Sequence, residues 1–189
     1  MFNMKRIMII LFIGLILFLG YKSEPKLLLF IKYPQQYKEY VFKYSDLYQI
    51  EDELIFSIIK AESNFYPYAK SKKDAKGLMQ IIDKTWSWGC SELESPSMDY
   101  YNIEDNIKVG TWYLRRLINE FGSEELAVLA YNAGSGNVNA WISKGYLSDT
   151  DYTKWEIPFE ESKTYINKVM SYKNKYALIY EQNIDILGA

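Results

Sequence analysis

Leu54, Ile55, Ile58, Ile59 and Glu62 fall at intervals of three and four, so a helix over 52–63 places all five on one face. Four of them demand a core, and the fifth carries a carboxylate to the same place. The helical period recurs along most of the chain. Residues 37–48 read as a helix ahead of this one. Gln80 to Trp88 reads as a short helix entered after the charged turn Lys72-Lys73-Asp74-Ala75-Lys76-Gly77. Asn102 is placed to cap a helix over 103–121, with Asp105 at its third position and Gly122 as its stop. Ser123 caps the next helix, which carries Leu126, Leu129 and Ala130 toward Tyr131; Gly134-Ser135-Gly136 breaks it, and Asn137 to Ser143 restarts. A closing helix spans Pro158 to Tyr180, with Tyr165, Val169, Tyr172 and Tyr176 on a related face. No period-two segment of useful length and no internal repeat interrupts this pattern. The expected fold class is mainly α.

Composition narrows the chemistry. A chain of 189 residues suits one domain with its own core plus a short appendage. A net charge of −2 lacks the basic excess that phosphate neutralisation needs, which excludes a nucleic-acid binder. The absence of His removes Ser-His and Cys-His nucleophilic pairs and His-ligated metal sites. Cys90 is the single cysteine, so it has neither a disulfide partner within the chain nor an activating His. No cofactor and no metal is implied, and proton transfer falls to carboxylates, Tyr or Lys. Glu62 leads that list. A carboxylate on a core-facing stripe is desolvated, which raises its pKa from an ordinary ~4.3 toward the about 6–7 that suits a general acid near neutrality. Helix position alone also allows Glu62 to end the helix facing water. Tyr and Trp, eighteen and five in number, serve mostly as packing, but their flat apolar faces with polar tips also suit sugar rings.

The N-terminus has its own signature. Lys5 and Arg6 precede an apolar run from Ile7 to Tyr21 that ends at Lys22. Leu17-Phe18-Leu19-Gly20-Tyr21-Lys22-Ser23 offers no small-residue cleavage pattern, which favours a retained signal anchor over a cleaved signal peptide. In either case the positive flank stays cytoplasmic and the rest of the chain is exported. The expected organisation is an anchor or signal peptide over 1–22, a linker over 23–36 between Pro25 and Pro34, and a helical domain over 37–189.

Three motifs join Glu62. Ala61-Glu62-Ser63-Asn64-Phe65 is followed by Gly77-Leu78-Met79-Gln80, and about fifty residues later by Ala130-Tyr131-Asn132-Ala133-Gly134. Near the C-terminus stands Ile157-Pro158-Phe159-Glu160-Glu161-Ser162-Lys163-Thr164-Tyr165-Ile166. Over roughly residues 38 to 180 this set resembles the catalytic domain of the soluble lytic transglycosylases, enzymes of lysozyme-like fold that cleave bacterial peptidoglycan. The resemblance implies that Glu62 is the single catalytic acid/base. It also implies that Ser63, Ser71, Gly77, Gln80, Tyr131, Asn132, Glu161 and Tyr165 are substrate-side residues, with the Tyr131 hydroxyl aimed at Glu62 or the substrate. Leu78 and Met79 suit core packing equally well. Two departures stand out: Ile82 where the family commonly has Met, and Glu161-Ser162 where it has Glu-Thr.

The implied reaction starts with protonation by Glu62 of the oxygen between N-acetylmuramic acid and N-acetylglucosamine. The substrate's acetamido group relieves the charge at the anomeric carbon. Glu62 then takes the proton of the muramic acid 6-hydroxyl, closing a 1,6-anhydro ring without water. Asp74 and Asp83 sit among Lys73, Lys76 and Lys84 and read as solvated surface. Two other functions remain open at this point: a lysozyme-type hydrolase, which needs a second cleft carboxylate, and a non-catalytic wall-binding or envelope-complex component. The partners implied are glycan strands and, through the N-terminal segment, the membrane.

Overall fold

A computed structural model of the chain describes residues 26–187, together with Met8 and Phe12; side chains are described for residues 28–180 of that stretch. Apart from Met8 and Phe12, the expected anchor over 1–22 lies outside the described residues. Among these, no helix is long and apolar enough to cross a membrane. The chain divides into two units, Met1–Pro34 and Gln35–Ala189. Within the first, α1 occupies Lys26–Lys32, where a linker was expected.

The second unit is helical: α2 (Lys38–Tyr48), α3 (Asp52–Ser63), α4 (Asp83–Glu92), α5 (Ile103–Phe121), α6 (Glu124–Ala133), α7 (Ser135–Ser143), a 3-10 turn (Tyr152–Lys154) and α8 (Glu160–Leu187). The only β pairing among the described residues is isolated bridging of Lys76 with Lys70 and Ile81. Helix α3 is the centre. Its residues Leu54 to Ile59 are all buried, so it is enclosed on every side rather than amphipathic. It packs on α2 and on the long closing helix α8, while α5 joins α2, α4 and α6. Tyr176 of α8 stacks on Phe56 with ring centroids 5.3 Å apart.

Local chemistry sets most boundaries. The Asn102 side chain accepts the Asp105 N–H at 3.1 Å, and Gly122 ends α5 in the left-handed region at φ 68°. The Asp105 carboxylate does not complete a reciprocal box; it accepts the N–H of Asp99. Ser123 caps α6 at Leu126 N–H. Helix α4 starts at Asp83 rather than Gln80, because residues 77–82 are held in a turn. Likewise α7 starts at Ser135, directly after Gly134, and α8 starts at Glu160.

Candidate active site

Glu62 lies in the last turn of α3. Asn64 and Phe65 follow it with φ of 50° and 65°, turning the chain out of the helix while Phe65 is buried. From there the chain enters a compact loop over 69–81. Gly77 donates to Ala69 O, Ser71 donates its N–H to Ala75 O, and Lys76 and Ile81 exchange both backbone bonds. The loop is clamped from α5 by buried Asn106. Its Oδ1 accepts Met79 N–H at 2.8 Å, and its Nδ2 donates to Lys76 O and Tyr100 O at 3.1 and 2.9 Å. Gly77 has φ 78°, and a Cβ there would stand 2.1 Å from Asn106 Nδ2, so the clamp requires glycine. Gly110, one turn along α5, admits Met79 in the same way: an added Cβ would lie 2.3 Å from its sulfur.

A cavity of about 470 Å³ opens between this loop, α6 and the start of α8. Of the expected site residues, Glu62, Ser71, Gln80, Tyr131, Asn132 and Glu161 line it, while Ser63, Gly77 and Tyr165 do not. Ser63 returns its hydroxyl to Ile59 O at 3.1 Å, the i−4 carbonyl of its own helix. The Ser71 hydroxyl accepts the N–H groups of Lys73 and Ala75, shaping the loop. Gln80 sits at φ 51°, and its Nε2 donates to Ala69 O and Gly77 O, so its side chain holds its own left-handed backbone. The Tyr131 hydroxyl donates to Met79 O at 3.0 Å, joining α6 to the loop, and lies near enough to Glu62 to feel its charge. The Asn132 Oδ1 accepts the hydroxyl of buried Ser162 at 2.7 Å. That bond needs only a hydroxyl, so Ser serves where the family has Thr.

Tyr165 belongs to the Glu62 carboxylate rather than to the cavity wall. It is buried on α8, and its hydroxyl donates to Glu62 Oε1 at 2.6 Å. Burial pushes the Glu62 carboxyl up to about 7, against the opposing pull of the Tyr165 hydrogen bond and the Lys168 charge, with Glu161 adding a smaller upward push. The negative end of the α3 dipole acts in the same upward direction. Lys168 donates to Ala61 O at 2.8 Å, which fixes its charge beside the end of α3. The Tyr131 and Tyr165 hydroxyls are pushed well above the ordinary tyrosine value, chiefly by burial, and so remain protonated donors.

The other carboxylate of the cavity, Glu161, is exposed and ion-paired with Lys73 at 3.1 Å. Asp74 and Asp83 lie off the cavity: Asp74 pairs with Lys70 and Lys76, and Asp83 with Lys76 and the Tyr100 hydroxyl. Among the described residues, no cluster of carboxylates and thiols forms a metal site. Sequence reasoning missed Asn106, Tyr113, Ser162 and Lys168. Asn106 had a signal: it is a polar residue on the apolar face of α5 with Ile107, Gly110 and Leu114. Ser162 stood in the C-terminal motif without a role, and Lys168 had no signal, because its partner lies 107 residues away.

The family model described as Transglycosylase SLT domain matches residues 39–153. The chain is 34% identical over 172 residues to the membrane-bound lytic murein transglycosylase C of Pectobacterium atrosepticum, covering 77% of this chain and 48% of that protein. It is 30% identical over 152 residues to the soluble lytic murein transglycosylase of Escherichia coli K12, covering 77% of this chain and 23% of that one. The chain thus spans about half or less of these relatives. Among solved structures, the 70 kDa soluble lytic transglycosylase of Escherichia coli superposes with a TM-score of 0.73 at 27% identity, covering 81% of this chain and 26% of that one. An inactive glutamate-to-glutamine variant of lytic transglycosylase Slt from Pseudomonas aeruginosa gives 0.70 at 29% identity, covering 83% and 26%.

Proposed function

The chain belongs to the transglycosylase SLT domain family, with its lysozyme-like helical fold, and on that premise we propose that it is a peptidoglycan lytic transglycosylase. The observation that carries the reading is Glu62: one cavity-lining carboxyl with a pKa near 7, held by a buried tyrosine. Such a group is protonated often enough near neutrality to act as an acid and ionised often enough to act as a base.

In the proposed reaction Glu62 delivers its proton to the glycosidic oxygen between N-acetylmuramic acid and N-acetylglucosamine, and the bond to the anomeric carbon breaks. The substrate's acetamido oxygen shares the positive charge that develops there. Tyr165 stabilises the carboxylate left behind, because its hydroxyl donates to the charged form. Glu62 then accepts the proton of the muramic acid 6-hydroxyl as that oxygen attacks the anomeric carbon. Gln80, whose Nε2 is committed to the loop backbone, keeps Oε1 for a sugar donor. Asn132, steadied by Ser162, presents its amide nitrogen.

Glu161 favours the competing hydrolase reading, since it is a second carboxylate on the cavity. Its ion pair with Lys73 and its exposure make it a poor buried nucleophile. Mass spectrometry of muropeptides released from purified peptidoglycan by the full-length chain separates the two. Anhydro ends, lighter by one water than reducing ends, are the expected product; reducing ends would make the protein a hydrolase, and no release would leave a binding module. The charged-then-apolar N-terminus supports a domain outside the cytoplasm on a retained membrane anchor rather than behind a cleaved signal peptide. Retention of the full-length chain in carbonate-washed membranes tests that placement, and release into the wash would contradict it.

A further inference from the structure

The cavity at Glu62 does not end at its own wall. Ile82, Thr85, Tyr113 and Gly134 also line a second cavity of about 740 Å³, so the two form one continuous groove leading away from the catalytic carboxyl. Each is of the size that takes a small ligand, and together they exceed what a single scissile disaccharide needs.

Both parts carry cations, and the second holds one of them against aromatic rings. In the first, Lys73 is neutralised by Glu161 while Lys72 makes no ion pair with any described residue, and on the adjoining loop Lys70 and Lys76 are held by Asp74 and Asp83. Arg115 is spent on Tyr48 O and Gln49 O. In the second, Arg116 and Lys84 line the groove and make no hydrogen bond or ion pair with any described residue. The carboxylate that shares the lining, Glu120, accepts from Ser135 and Asn139.

Arg116 is nonetheless fixed. Its guanidinium carbon sits 4.8 Å from the ring centroid of Trp88 and 5.9 Å from that of Trp112, and those two indoles pack edge to face. An arginine held by its face on an aromatic ring keeps its in-plane N–H groups free for a two-pronged bond to a carboxylate. Trp88 is 40 % exposed, and its own N–H is occupied by Glu92, so what it offers the groove is apolar ring.

We propose that this second part of the groove is an accessory substrate site that takes a carboxylate of the strand next to the repeat being cleaved. Arg116 and Lys84 bind the charge, and Trp88 supplies an apolar wall beside it. The inference rests on the peptidoglycan reading above. A glycan strand offers two sources of that group, the lactyl carboxylate of an unsubstituted muramic acid and the carboxylates of a peptide stem.

The experiment measures strand binding to the full-length chain in detergent, on a Glu62→Gln background that prevents turnover. Three strands of equal length are compared: stem-bearing, stem-stripped with lactyl carboxylates exposed, and stripped with every carboxyl amidated. Adding Arg116→Leu is expected to raise Kd about ten-fold for a carboxylate-bearing strand and leave the amidated strand unchanged. Arg116→Lys, which keeps the charge, is expected to recover part of the loss. A loss confined to stem-bearing strands assigns the site to the stem, and one confined to stripped strands assigns it to the lactyl group. An equal loss on amidated strands, or none on any, overturns the inference and leaves the proposed function standing. Failure of the parent background to bind any strand overturns both.

Discussion

Helix α3 carries a raised carboxyl at each end, and only one of them sits in a place where chemistry can follow. Glu53 in the first turn and Glu62 in the last are both pushed up to about 7, burial being the largest cause in each. Around Glu53 the remaining influences are mostly other acids: Asp52 and Glu51 add to the push. Neither cavity of the groove is lined by it. Around Glu62 the neighbours are a donor and a cation, Tyr165 and Lys168, and a cavity faces it. Desolvation alone therefore does not mark a general acid. What distinguishes Glu62 is that the protein supports both of its protonation states and leaves room for a substrate.

The largest break in that comparison comes from Glu62→Gln. Muropeptide release is expected to fall at least about a thousand-fold with the fold intact, since the amide delivers no proton. Turnover at the parental rate, measured by chromatography of the products, would remove Glu62 from the mechanism. Tyr165→Phe is expected to reduce turnover about ten-fold and to move the basic limb of the pH–rate profile upward by about one pH unit. The sign follows from the bond: the hydroxyl stabilises the carboxylate, so its loss raises the Glu62 pKa. A downward shift would mean that Tyr165 donates to something else in solution. Lys168→Met acts in the same direction through a weaker influence, and its profile is expected to move by less than that of Tyr165→Phe.

Glu53→Gln closes the series with no kinetic effect and a small gain in stability. A carboxyl raised in the folded state contributes stability that is complete below its unfolded value near 4.5 and is lost as pH rises through about 7. Glutamine escapes that loss. Because Glu53 is only partly buried, solvent screening limits the gain to about 1 kcal/mol at pH 8, and almost all of it is gone by pH 4. Thermal unfolding at the two pH values reads it, and an equal change at both would assign the effect to packing instead of charge.

How far the sequence could be read depended on range. The bounds of α2, α3 and α5 follow from apolar spacing and from caps such as Asn102 and Gly122, which act within four residues of the backbone they satisfy. The start of α4 did not follow, because the turn over 77–82 is held by Asn106 from another helix. The bond from Tyr131 was not foreseen for the same reason: its hydroxyl reaches Met79 O, 52 residues earlier in the chain. Ser63, adjacent to Glu62 in sequence, points back along its own helix, while Tyr165, 103 residues away, touches the carboxylate.

The sequence by itself determined which segments are helical, which carboxylate ends the apolar stripe, and which family the motifs belong to. Periodicity, caps and motif spacing are local properties that any chain carries before it folds. The tertiary structure decided the rest: that Tyr165 and Lys168 hold Glu62, that Asn106 clamps the Gly77–Gln80 turn, and that Arg116 and Lys84 stand uncompensated along the groove beyond Tyr113. Those are relations between helices, and helices meet only where burying their apolar faces brings them together, at positions that no spacing along the chain records.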